Sequence, residues 1–77
     1  MSTPQAIFTG SISGNWMLVE YVQFGKILMG CEVHGIGVAK HTSIKMQFRG
    51  EEGGPGMYHV EPLQTVASGS FEARLPQ

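Results

Sequence analysis

The sequence predicts an all-β fold: a small antiparallel barrel, OB-like or SH3-like, of five to six short strands, in one domain covering residues 1–77. Three observations predict it. Glycine occurs 11 times in 77 residues, roughly twice the usual ~7%. Two segments, Ser43–Arg49 and Ser70–Leu75, alternate apolar and polar residues with period two. Clusters of turn-forming residues punctuate the chain at short intervals, leaving no window with a helical period.

The first strand is expected over Gln5–Ile12, rich in β-branched and aromatic residues, and Ser13-Gly14-Asn15 reads as a turn. Trp16–Phe24 reads as a second strand with both faces apolar: Trp16, Leu18, Val22 and Phe24 on one, Met17, Val19 and Tyr21 on the other. In so short a chain, a doubly apolar strand implies barrel closure or a subunit contact. Phe24-Gly25-Lys26 turns into a third strand, Ile27–Val33, with Ile27, Met29, Cys31 and Val33 on one face. Gly35-Ile36-Gly37 reads as a hairpin or wing. In Ser43–Arg49 the alternation puts Ile44, Met46 and Phe48 inside and Lys45, Gln47 and Arg49 outside. Gly50–Gly56 is a loop, Met57–Val60 opens a fifth strand, and Pro62 restricts that strand to an edge or a bulge. A short helical turn is compatible with 38–43 or 62–67.

Charged residues make up only 14% of the chain and the net charge is −1. Such sparse charge excludes a coiled coil, a disordered acidic tail and a basic nucleic-acid arm, and it argues against a strong grip on duplex DNA. So small a domain has a thin stability margin, and Cys31, the only cysteine, cannot form an internal disulfide. Self-association is the expected support, most simply as a homodimer through Trp16–Phe24. No apolar run approaches a membrane span, and Met1–Gly10 lacks a basic start and an apolar signal core. With a single unpaired cysteine, the expected compartment is the cytoplasm.

No catalytic residues, metal or cofactor are expected. The chain contains no Asp, so no Ser-His-Asp arrangement exists. Cys31 and His34, three apart in an extended strand, point to opposite faces, and Cys31 reads as a core thiol. The spacings of Cys31, His34, His41 and His59 fit no closed zinc site. Gly35-Ile36-Gly37-Val38-Ala39-Lys40 lacks the third glycine of a phosphate-cradling loop, so a hairpin explains it.

The constellation with functional content is cationic and aromatic. Lys26, Lys40, Lys45 and Arg49 all precede the Glu51-Glu52 pair, with His41 beside Lys40. A barrel with a modest basic stripe and aromatic platforms suits single-stranded nucleic acid bound without sequence preference. Lys40, Lys45 and Arg49 would contact phosphates, His41 would join them when protonated, and Trp16 or Tyr21 would stack on bases. The alternative is a non-enzymatic protein-interaction module, such as an accessory protein of a phage or mobile element, offering a strand edge or apolar patch. A third reading places a small ligand at the Gly35–Ser43 loop through His41, Thr42 and Ser43.

Gly54-Pro55-Gly56-Met57-Tyr58-His59-Val60, followed by Ser68-Gly69-Ser70-Phe71-Glu72-Ala73-Arg74-Leu75-Pro76, resembles the C-terminal half of the single-stranded-DNA-binding proteins of filamentous bacteriophages. Ala6–Ile12 and Lys45–Phe48 look similar too, as does the chain length. The resemblance implies a five-stranded OB-like barrel, a two-fold dimer and cooperative coating of single-stranded DNA. It makes Tyr58 a structural tyrosine at the start of a strand and places Lys45 and Arg49 near the backbone-contacting surface. The family's basic, aromatic wing has no counterpart, since the matching connection is only Ser13-Gly14-Asn15, and Gly25–Ala39 has no match.

Overall fold

The computed structural model describes residues 3–75. The described chain is all β, with four antiparallel strands in one sheet and no helix: β1 (Ala6–Gly25), β2 (Glu32–Gly35), β3 (Thr42–Gly50) and β4 (Gly56–Arg74). Four strands replace the expected five to six because two of them are long. β1 has 20 residues and β4 has 19. Ser13-Gly14-Asn15, expected as a turn, is taken up within β1, with Gly14 at φ +67°.

The long strands are bent. β4 pairs with β1 from Ala73 opposite Ala6 to Gly56 opposite Val19, with register shifts between Gly10 and Ile12 and between Gly14 and Trp16. Its first part also pairs with β3 and its last part with β2. The two ends of β1 approach one another: a Cβ at Gly10 would stand 2.5 Å from the Leu18 carbonyl oxygen, and Gly25 backs onto the Gln5 carbonyl. Gln23 Nε2 donates a hydrogen bond to Thr9 Oγ1 at 3.2 Å across the same seam. Only glycine permits main chains to pass so closely, and Gly25 also sits at φ +74°.

The core follows from alternation where alternation holds. From Ala6 to Ile12 every second residue is buried: Ala6, Phe8, Gly10 and Ile12. The same is true of Phe71 and Ala73 on β4. Phe8 and Phe71 stand opposite each other in register and pack edge to face, 5.8 Å between centroids at 86°. Such a pair adds about 0.5–1.5 kcal/mol beyond the apolar area it buries. Met17, Val19, Ile27, Cys31, Val33, Ile44, Tyr58, Val60 and Val66 complete the cluster.

Among the described residues, every buried side-chain polar atom has a hydrogen-bond partner. Tyr58 donates its hydroxyl to the Gly54 carbonyl at 2.7 Å. Thr42 donates to the Ala39 carbonyl at 2.7 Å and accepts from Gln64 Nε2 at 2.9 Å. Gln64 Oε1 in turn accepts the Ala39 N–H at 2.9 Å, so one glutamine ties the 36–41 connection to β4.

Several expectations are corrected. The third strand is only Glu32–Gly35; Ile27–Cys31 is irregular, which leaves Met29 exposed while Ile27 and Cys31 are buried. Gly35-Ile36-Gly37 forms a tight turn with Ile36 97% exposed, and neither 38–43 nor 62–67 is helical. Pro62 meets its expected bulge. On the β1 side the ladder steps from His59 opposite Trp16 to Gln64 opposite Gly14, leaving 60–63 against Asn15. Asn15 Nδ2 closes that gap by donating to the Val60 carbonyl at 3.0 Å. A residue without an N–H is tolerated where the ladder is interrupted.

Candidate nucleic-acid interface

Two departures from the alternating pattern lie on β3, and they build the site. Ile44 faces Val60 and Met46 faces His59, so Lys45 is an extra residue; Gln47 faces Tyr58 and Arg49 faces Met57, so Phe48 is a second. Each bulge shifts the alternation and re-aims the side chains that follow. Ile44 therefore points into the core, while Met46 is 52% and Phe48 55% exposed. Met46 and Phe48, expected beside Ile44 in the core, are surface residues.

Gln47 also leaves its expected place on the wet face. Its Nε2 donates to the Glu51 carbonyl at 2.6 Å, and its Oε1 accepts the Gly53 N–H at 3.1 Å. It thus pins the glycine-rich β3–β4 loop against the strand.

Across the sheet the exposed side chains of β1, β4 and β3 form one surface. Trp16, His59 and Met46 stand side by side in register, as do Leu18, Met57 and Arg49. Trp16 is 42% exposed, its ring centroid 5.2 Å from Phe48 at 60° and 5.5 Å from His59 at 57°. The Arg49 guanidinium lies over the Phe48 ring at 5.5 Å, a contact worth about 0.5–1 kcal/mol at an exposed site. Two aromatic rings, an arginine and a histidine thus share a half-exposed face.

The expected site residues divide. Trp16 and Arg49 come together through Phe48. Lys45 lies on the same strand, with its Nζ 4.0 Å from Glu61. Lys40 and His41 belong elsewhere, in the 36–41 connection next to β2. His41, at φ +62°, has its Nδ1 3.8 Å from Glu32 Oε2, while His34 Nε2 lies 3.4 Å from the other carboxylate oxygen. These residues line a recess of about 170 Å³ together with Gly35, Val38 and Ala39. Tyr21 is exposed on β1 beyond its pairing with β4, in a groove shared with Lys26, Glu51 and Glu52. Two carboxylates there oppose a phosphate.

Phe48 and His59 join this face without any mark in the sequence. Strict alternation hides a bulge, so nothing in Lys45–Arg49 marks Phe48 as exposed. His59 lies within the Gly54–Val60 segment that carries the phage-protein resemblance, but its neighbours Trp16 and Met46 come from other strands.

Cys31 is fully buried, and burial pushes its thiol pKa up, partly opposed by a hydrogen bond with the Leu28 backbone. Among the described residues no three His, Cys, Asp or Glu side chains converge as metal ligands. Nor do the described residues include a helix long and apolar enough to cross a membrane. No family model matches the chain, and comparison with curated proteins and with solved structures returns no match.

Proposed function

We propose that this protein binds single-stranded nucleic acid without sequence preference, as a non-catalytic, cytoplasmic homodimer. The observation that carries the reading is the half-exposed Trp16–Phe48 pair with Arg49 over the Phe48 ring. Base stacking on such a platform is worth about 1–3 kcal/mol per base and tolerates any sequence. Arg49 and Lys45 supply the phosphate contacts. The site is thus narrower than the sequence suggests, with Phe48 taking the stacking role expected of Tyr21. The resemblance of Gly54–Val60 to the filamentous-phage single-stranded-DNA-binding proteins points the same way.

The proposed architecture is an OB-like barrel in which the two halves of β1 and the two ends of β4 act as separate short strands. The close approach of Gly10 to Leu18 and of Gly25 to Gln5 supports closure along that seam. The dimer reading is supported by large apolar side chains left exposed outside the aromatic face, among them Tyr21, Phe24 and Leu63.

Titration with poly-dT, followed by Trp16 fluorescence at low and then high salt, tests the function. Quenching that salt reverses is expected; no change at either salt refutes it. A second reading, a protein-interaction module, is favoured by Leu18 and Met46, whose exposed side chains make part of the same face apolar. It predicts the silent outcome.

A further inference from the structure

We infer that His59 is a pH-sensitive member of this face, its imidazolium adding a cation that tightens the binding of single strands on acidification. The inference rests on the nucleic-acid reading above. His59 occupies the middle of the three-strand surface, opposite Trp16 on one side and Met46 on the other. Its ring meets the Trp16 indole at 5.5 Å, so whatever stacks on the indole comes close to the imidazole. Histidine is the side chain whose charge changes between about pH 5 and 8.

The surroundings make one proton count. From β1, the facing residues are Trp16 and Leu18, neither ionisable. From β3 they are Met46 and, on the same strand, the cations Lys45 and Arg49. From β4, Met57 and Glu61 lie two residues away on either side. Glu61 is the only carboxylate in the paired segments 16–19, 42–50 and 56–61, and it lies 4.0 Å from Lys45. Two cations against one carboxylate leave the face at a formal +1, and protonating His59 doubles it. An imidazolium beside an indole is itself a favourable cation–π contact, so the proton leaves the platform intact. The other two histidines, His34 and His41, face Glu32 at β2 and stand apart from this surface.

The test is anisotropy of a labelled oligo-dT at about pH 5.5 and pH 8, over a range of salt, with the wild type, His59→Gln and His59→Lys. Folding of each variant is checked by circular dichroism. The wild type is expected to bind about three- to five-fold tighter at the lower pH, with a log–log salt slope steeper by about 0.7. His59→Gln should keep the weaker affinity at both pH values, and His59→Lys the tighter one. If His59→Gln does not fold, a pH-independent affinity in His59→Lys supports the inference and an unchanged pH response overturns it. Binding with the same pH response in wild type and His59→Gln overturns the role of His59 and leaves the function standing. Absence of binding at either pH overturns both.

Discussion

The Phe8–Phe71 and Trp16–Phe48 pairs both cross this sheet, and they have opposite fates. Phe8 and Phe71 meet edge to face at 5.8 Å in the core, each almost wholly buried. Trp16 and Phe48 meet at 5.2 Å, and each remains about half exposed. The inner pair lies where β1 and β4 run in unbroken register; the outer pair contains a bulged residue, Phe48. Regular pairing keeps Phe8 and Phe71 on the inward face of the alternation, whereas the bulges on β3 shift the alternation and turn Phe48 to the surface. The inner pair is thus expected to hold the fold and the outer pair to serve binding.

The largest effect is expected at the inner pair. Phe71→Ala should destabilise the domain by about 3–5 kcal/mol, enough to abolish a cooperative thermal transition in a chain this small. A near-normal melting temperature would show that the inner pair does not carry the fold.

Tyr58 sharpens the inner side through pH. Burial pushes its phenol from 10.0 up to about 12. The unfolded chain therefore releases this proton first, so between those values the native state holds more protons. Stability is full below about pH 10 and falls as pH rises towards 12, by roughly 2–3 kcal/mol over the window. Urea melts across that range should show the fall in the wild type and a smaller one in Tyr58→Phe, which at neutral pH gives up about 1 kcal/mol with its hydrogen bond to Gly54.

The outer pair should behave the other way round. Trp16→Ala is expected to weaken poly-dT binding by about 1–3 kcal/mol, roughly 5- to 150-fold. Calorimetry should find its melting transition still cooperative, unlike that of Phe71→Ala. Equal loss of stability in the two variants would erase the distinction between the pairs.

The smallest effect belongs to the cations beside the outer pair. Replacing Lys45 and Arg49 together with Gln should reduce the log–log salt slope by about 1.4, at ~0.7 for each phosphate that is no longer neutralised. An unchanged slope would remove both from the interface.

Much of the inner side is legible in the chain. The β1 segment Ala6–Ile12 and the end of β4 alternate without interruption, and both alternate in burial as well. The outer side is not legible, because Lys45–Arg49 also alternates without interruption and yet contains two bulges. Whether a bulge forms depends on the partner strand: β4 presents Val60, His59, Tyr58 and Met57 opposite Ile44, Met46, Gln47 and Arg49. The residue pattern marks Trp16 for stacking but places its partner Phe48 in the core. Proximity along the chain joins Lys40 and His41 to Lys45, although the intervening connection sets His41 beside Glu32.

The residue pattern was enough to show that the fold is β, that Gly50–Gly56 links two strands as a loop, and that Cys31 lies inside. Those properties follow from side-chain period and local backbone freedom, which nearby residues settle. That Met46 and Phe48 face outward, that Gln47 holds a loop, and that His59 lies between Trp16 and Met46 emerges when the strands assemble. These depend on cross-strand register, which is set when β1, β3 and β4 are paired. The doubly apolar Trp16–Phe24 segment shows the same division. Its apolar character is in the residues, but the pairing with β4 sends Met17 and Val19 inward and leaves Trp16 and Leu18 on the surface.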